Sequence, residues 1–163
     1  MIYIACILLI TLFLPNYYNF LWDRKSKDLS GVQLPKLLVY DEVGNSKFLN
    51  DLGETIVLDV WTTSCATCIK EFPKFQKVAT SYKNHKVKFY SLNFPLRRDT
   101  QNYINKFTEQ YTFKKLIADR TTVEKLNIKY FPQYIIIKNN KIQYIGSLNI
   151  NKSSILVHDK KYN

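Results

Sequence analysis

The segment Cys65-Ala66-Thr67-Cys68 constrains this chain most, because of what stands on either side of it. Before it runs Thr55-Ile56-Val57-Leu58, a short apolar and largely β-branched block suited to a buried central strand. After it, Phe72, Phe75, Val78, Ala79 and Tyr82 recur at helical spacing, which predicts one apolar face of a helix from Cys65 to about Tyr82. The two cysteines therefore fall where a strand gives way to a helix. The first-turn N–H groups of a helix have no partner within it, so they would stabilise a thiolate on Cys65 and lower its pKa. Cys68, one turn further in, is then placed to attack a mixed disulfide formed at Cys65. Strand, dithiol, helix: the pattern points to thiol–disulfide chemistry.

Two other uses of the pair stay open. A zinc site needs two further ligands, and His85 and His158 stand at no familiar finger spacing. An inert structural dithiol is the other. The third cysteine, Cys6, lies in an apolar N-terminal stretch and reads as a lipid-facing or processed residue. Three cysteines do not make a disulfide framework. Nor does Cys6 read as a lipoprotein cysteine, since five residues precede it and none is basic.

The 163 residues suffice for one domain with a proper core plus an appendage, and 46% hydrophobic residues argue against wholesale disorder. Four glycines, with no Gly-x-Gly-x-x-Gly or phosphate-binding loop, exclude the glycine-loop nucleotide binders. The net charge of +11 would suit nucleic acid or an anionic membrane surface. It equally fits lysines scattered over solvated faces. No lysine cluster accompanies a nucleic-acid motif, so no nucleic-acid partner is expected.

Taken in order, residues 1–22 carry no charge and read as a membrane anchor or signal segment, interrupted by Pro15-Asn16 and bordered by Tyr17, Tyr18 and Trp22. No small-x-small cleavage site follows, which favours an uncleaved anchor. Residues 23–31 read as a linker, 32–150 as the folded domain and 151–163 as a short tail. Within the domain, 34–40 reads as a short strand and 47–52 as a following apolar turn, with Gly44-Asn45 as the turn of a leading hairpin, and the core strand is expected over 55–61. A strand over 87–92 follows, then a helix from Gln101 to about Gln110 capped by Asp99-Thr100. A strand over 113–118 and a helix over 121–126 come next. Strands over 133–138 and 142–145 are joined by Asn139-Asn140. Pro73 lacks an N–H and should kink the first helix.

Several of these residues together resemble a known family. They are Trp61 ahead of Cys65-Ala66-Thr67-Cys68, Glu71-Phe72-Pro73 just after, and Tyr130-Phe131-Pro132 leading into Gln133-Tyr134-Ile135-Ile136-Ile137-Lys138. Over residues 34 to 148 the chain resembles the thioredoxin-like thiol–disulfide oxidoreductases, most closely their membrane-anchored TlpA/ResA-type branch. The resemblance implies an α/β thioredoxin fold, a central mixed sheet flanked by helices, with a leading β-hairpin and an apolar anchor. It implies catalysis by Cys65 and Cys68, a cis Pro132 facing the dithiol, and Trp61 shielding the disulfide. Phe131 would enlarge the apolar surface that meets substrate. Asp59 stands where thioredoxin buries an aspartate that handles the second cysteine's proton, a place the TlpA/ResA branch more often fills with an amide. Glu71 matches that branch's active-site glutamate. The bland alternatives are a loop hydrogen bond for Asp59, a solvated helix charge for Glu71 and a trans Pro132.

The family further implies a protein thiol or disulfide as substrate, an upstream dithiol as electron donor, and no cofactor beyond the Cys65–Cys68 disulfide. It also implies a membrane-anchored domain on the extracytoplasmic side, or an exported soluble one. Arg24, Lys25 and Lys27 after the apolar segment point the other way, to a cytoplasmic C-terminus. A buried carboxylate at Asp59 favours the reducing direction. Ser64, where the family has an aromatic residue, and the unusual pair Ala66-Thr67 are departures that bear on the potential. A copper or other metal-binding module is the alternative function. A peroxidase-like redoxin is disfavoured by the two-residue spacing.

Overall fold

The computed structural model describes residues 29, 31–83, 85–126, 128 and 130–146. The anchor segment, nearly all of the linker and the tail lie outside them. Among the described residues no helix is long and apolar enough to cross a membrane.

The block that the sequence marks as a buried strand is β3, Thr55–Trp61, and all seven of its residues are buried. It sits inside one sheet with β1 (Leu38–Asp41), β2 (Ser46–Phe48), β4 (Val87–Asn93), β5 (Lys114–Ala118), β6 (Gln133–Lys138) and β7 (Lys141–Gly146), in the order β2-β1-β5-β4-β3-β6-β7. The strands β3, β4 and β5 run parallel, while β6 pairs antiparallel with β3 and with β7, and β1 pairs antiparallel with β5 and β2. This is a mixed sheet of thioredoxin type.

Strand alternation sends β3 side chains to two different cores. Val57 and Trp61 join Cys68, Phe72, Phe75, Phe89, Ile104, Phe113, Tyr134 and Ile136 under α1 (Ala66–Ser81) and α2 (Gln101–Thr108). Ile56, Leu58 and Val60 face the other way, with Leu37, Leu49, Leu92, Ile135 and Ile137, against α3 (Arg120–Leu126) and the leading hairpin. The first core is built on aromatic edges: Phe72 meets Trp61 at 5.0 Å, Tyr111 at 5.5 Å and Phe113 at 5.8 Å between ring centroids. Helices thus cover both faces of the sheet.

The expected elements are all present, with informative shifts at their ends. The first strand begins at Leu38 rather than Leu34, because Asn50 holds 34–37 by side chain: its Oδ1 accepts from Leu37 N and its Nδ2 donates to Leu34 O. Pro35 has no N–H to offer a ladder there. The second strand is only Ser46–Phe48, and a 3-10 turn over Leu49–Asp51 takes the rest of the apolar stretch. Asn139 and Asn140 have φ of 50° and 58°, the left-handed pair that a tight β6–β7 turn needs. The helix α1 continues through Pro73, which lies on its exposed side.

Candidate active site

Cys65 ends the β3-to-α1 connection as the N-cap of α1, in extended conformation, and its Sγ accepts the Cys68 backbone N–H at 3.1 Å. That N–H is one of the first-turn donors with no helical acceptor, so a sulfur carrying charge at Cys65 is met by a donor already in place. Cys65 and Cys68 form a disulfide, with Cα atoms 5.3 Å apart. The two sulfurs are not equivalent. Cys65 is half-buried, whereas Cys68 is fully buried. The outer one is open to attack and the inner one is sheltered.

The loop before Cys65 is fastened across the sheet's C-terminal end. Thr63 Oγ1 donates to the Asp99 carboxylate at about 3.0 Å, and Leu96 N donates to Asp99 Oδ2 at 2.9 Å. Asp99 thus serves the dithiol loop, and the cap of α2 falls to Thr100, whose Oγ1 accepts from Tyr103 N at 3.2 Å. The Phe131–Pro132 peptide is cis, as the resemblance implies. Phe131 is half-buried and packs against both cores, with its ring 5.7 Å from Phe94. Phe94 N in turn donates to Trp61 O at 2.8 Å. Trp61 is buried beside the motif, and its Nε1 donates to Ser91 Oγ at 3.1 Å. Cys65, Cys68, Trp61 and Phe131 therefore share one apolar cluster. Tyr130 and Leu96 stay exposed, on the segments that carry Phe131 and Phe94.

On the α1-facing side of the sheet, β3 carries Asp59 between Val57 and Trp61. Its carboxyl is fully buried, and neither oxygen has a partner in hydrogen-bonding geometry. Asp59 is thus a buried acid, and the alternative of a loop hydrogen bond does not hold. Burial, reinforced by the nearby Glu71, pushes its pKa up to about 8, against a smaller opposing pull from the Tyr134 hydroxyl. The register places Tyr134 of β6 and Ser91 of β4 directly beside Asp59. Glu71 is half-buried, one turn after Cys68 on α1, and its Oε2 accepts the Tyr134 O–H at 3.1 Å. Glu71 is therefore tied into the site and is not a free helix charge. Tyr134 is fully buried, and burial first, then the two carboxyls, holds its phenol far above the ordinary range. Tyr134 and Ser91 are the site residues that sequence reasoning missed. The strand over 133–138 was visible, but not the register that sets Tyr134 opposite Asp59. Among the described residues no three His, Cys, Asp or Glu side chains group to hold a metal.

The comparisons with known proteins agree with this geometry. The chain is 29% identical over 103 residues to the thiol-disulfide oxidoreductase ResA of Bacillus cereus, covering 63% of this chain and 57% of that protein. The chain thus spans little more than half the length of the relative it matches. It is 27% identical over 155 residues to the thioredoxin-like protein YneN of Bacillus subtilis, covering 90% of this chain and 91% of that one. Among solved structures, a putative thiol-disulfide oxidoreductase from Bacteroides vulgatus superposes with a TM-score of 0.68 at 25% identity, over 82% of this chain and 98% of that one. A thio-disulfide isomerase from Thermus thermophilus shares the fold with a TM-score of 0.66 at 20% identity, over 79% of this chain and 93% of that one. The Redoxin family profile matches residues 29–158, which is most of the sequence. With its thioredoxin-type sheet and ResA-like relatives, the chain belongs to the Redoxin family, in its TlpA/ResA-type branch.

Proposed function

We propose that this chain is a thiol–disulfide oxidoreductase that acts on protein substrates through Cys65 and Cys68, in the reducing direction. The observation that carries the reading is the asymmetric disulfide at the start of α1, its outer sulfur half-buried and hydrogen-bonded and its inner sulfur buried.

In the dithiol form, the Cys65 thiolate attacks one sulfur of a substrate disulfide. A bond forms between Cys65 Sγ and that sulfur, and the other substrate sulfur leaves as a thiolate. Cys68 then gives its proton to the Asp59 carboxylate and attacks Cys65 Sγ. The Cys65–Cys68 bond forms, the second substrate thiolate leaves, and two electrons have passed to the substrate, whose thiolates take protons from solvent. An upstream dithiol donor reverses these bond changes in this chain, and Asp59 returns its proton to Cys68. No cofactor beyond the disulfide is needed. A proton acceptor with a pKa of about 8 matches this task near neutrality.

Half-buried Phe131, in the same apolar cluster as Cys65, supplies apolar surface for an extended substrate segment at the dithiol, and buried Trp61 backs the motif from inside. An N-terminal anchor over residues 1–22, with the domain on the extracytoplasmic side, is supported by the uncharged apolar run and by the family resemblance.

The test is an equilibrium titration of the full chain in graded thiol–disulfide buffers, read by alkylation mass shift. A reversible two-electron transition of Cys65–Cys68 near roughly −270 mV supports a reductant. A midpoint near roughly −120 mV reverses the direction to that of an oxidant. Absence of any reversible two-electron transition overturns the reading.

A further inference from the structure

Asp59 poses a problem for the chemistry just described. It exchanges a proton with Cys68 in each turnover, yet it is fully buried and, among the described residues, has no partner in hydrogen-bonding geometry. Equilibrating its protonation with solvent therefore needs a path through its neighbours. Its neighbours in the sheet are Ser91, whose Oγ already receives the Trp61 indole N–H, and Tyr134. Tyr134 stands directly across the β3–β6 pair from Asp59, and its hydroxyl donates to Glu71 Oε2 at 3.1 Å. Glu71 is half-buried on α1 and, unlike Asp59, reaches the exterior.

We infer that Tyr134 is a positioning residue that relays protons between Asp59 and Glu71, connecting the buried acceptor of the dithiol to solvent. The inference rests on the reading of Asp59 as the proton acceptor of Cys68. In the outward step, the Asp59 acid turns to meet the Tyr134 oxygen across the strand pair and gives it a proton, as the hydroxyl passes its own proton to the Glu71 carboxylate. One O–H bond breaks and one forms at the phenol, Asp59 ends ionised, Glu71 ends protonated, and Glu71 releases that proton to solvent. The inward step is the reverse. A phenol suits this place because it donates and accepts at one oxygen. It also resists ionising itself, since burial and both carboxyls hold its proton on. Besides Tyr134, the groups beside Asp59 are Glu71 from α1 and the neutral Ser91 from β4, and Cys68 belongs to the core cluster on the same side of the sheet.

The test is infrared spectroscopy of the oxidised full chain at mildly acidic pH. The protonated-carboxyl band of Asp59 is identified by its loss in Asp59→Asn, and its exchange is followed after transfer to heavy water. Tyr134→Phe keeps the ring and removes the hydroxyl; Glu71→Gln removes the outer acceptor without touching the core. The relay predicts that each slows exchange of the Asp59 band by at least about tenfold, the scale of losing one placed proton-transfer group. It also predicts that the double variant slows it no further. A merely structural Tyr134 would do the opposite, because a loosened core exchanges faster. Exchange at the parental rate or faster in either single variant overturns the relay while leaving Asp59 as the acceptor. No band lost in Asp59→Asn overturns the Asp59 reading, and the relay with it.

Discussion

Tyr134 and Asp59 face each other across the β3–β6 strand pair, the phenol bonded to Glu71 and the carboxyl bonded to nothing. An acid held neutral by burial makes folding stability depend on pH in a defined sense. Its folded pKa is about 8 against an ordinary 3.8, so between these values the folded state binds a proton that the unfolded state lacks. Stability therefore falls as pH rises across that window, by up to about 1.4 kcal/mol per pH unit. Denaturant unfolding of the oxidised chain at about pH 5 and about pH 8 should show this decline, and Asp59→Asn should flatten it. Asp41 does not interfere, since Lys47 holds its carboxyl at about 2, below the window. A parental curve that is flat, or that rises with pH, would refute the buried acid.

The unequal exposure of the two sulfurs assigns them different steps. Cys65→Ser should abolish reduction of a protein disulfide. Cys68→Ser should leave the first attack intact and accumulate a mixed disulfide between Cys65 and substrate. Non-reducing gels with mass spectrometry of the adduct check both, and undiminished turnover in Cys65→Ser would exclude it as the nucleophile.

Ser91 exists in this site to accept an indole hydrogen. Ser91→Ala leaves the buried Trp61 Nε1 without an acceptor, at a cost of about 1–3 kcal/mol. In a Trp61→Phe background the same change should cost far less. The difference, measured by chemical denaturation as a double-mutant cycle, isolates the bond. Equal losses in the two backgrounds would mean that Ser91 matters for some other contact.

Phe72 lies under the dithiol with three aromatic rings around it. Phe72→Ala should cost about 3–5 kcal/mol of stability by leaving a cavity among rings that cannot close over it. A loss below about 1 kcal/mol, the range of a surface site, would place the ring outside the core.

The core strand, its helix and the parallel neighbour were legible because local apolar spacing alone identifies them. β3 matches the expected 55–61 at both ends, and α1 differs by one residue at each. The leading hairpin was shorter than its apolar pattern suggested. Asn50 satisfies the backbone of 34–37 from 16 and 13 residues away, and no periodicity reports that. The dithiol was legible from spacing, and the burial of Trp61 and the cis Phe131–Pro132 peptide from resemblance. Tyr134 was not, because its importance depends on a strand register between segments more than seventy residues apart in sequence. Of the expected cap Asp99-Thr100, Thr100 does the capping; what Asp99 does instead was hidden, because its hydroxyl partner Thr63 lies 36 residues back.

One side chain on α1 has a mechanical meaning. Gln76 Oε1 accepts from Thr112 N at 2.8 Å and Phe113 N at 3.3 Å, while its Nε2 donates to Thr112 Oγ1 at 2.9 Å and Thr80 Oγ1 at 3.0 Å. Both ends of the amide grip the connector that leads from α2 into β5. The helix that carries Cys68 and Glu71 is thereby clamped to the entry of β5. The dithiol helix and the start of β5 are thus joined through a single side chain.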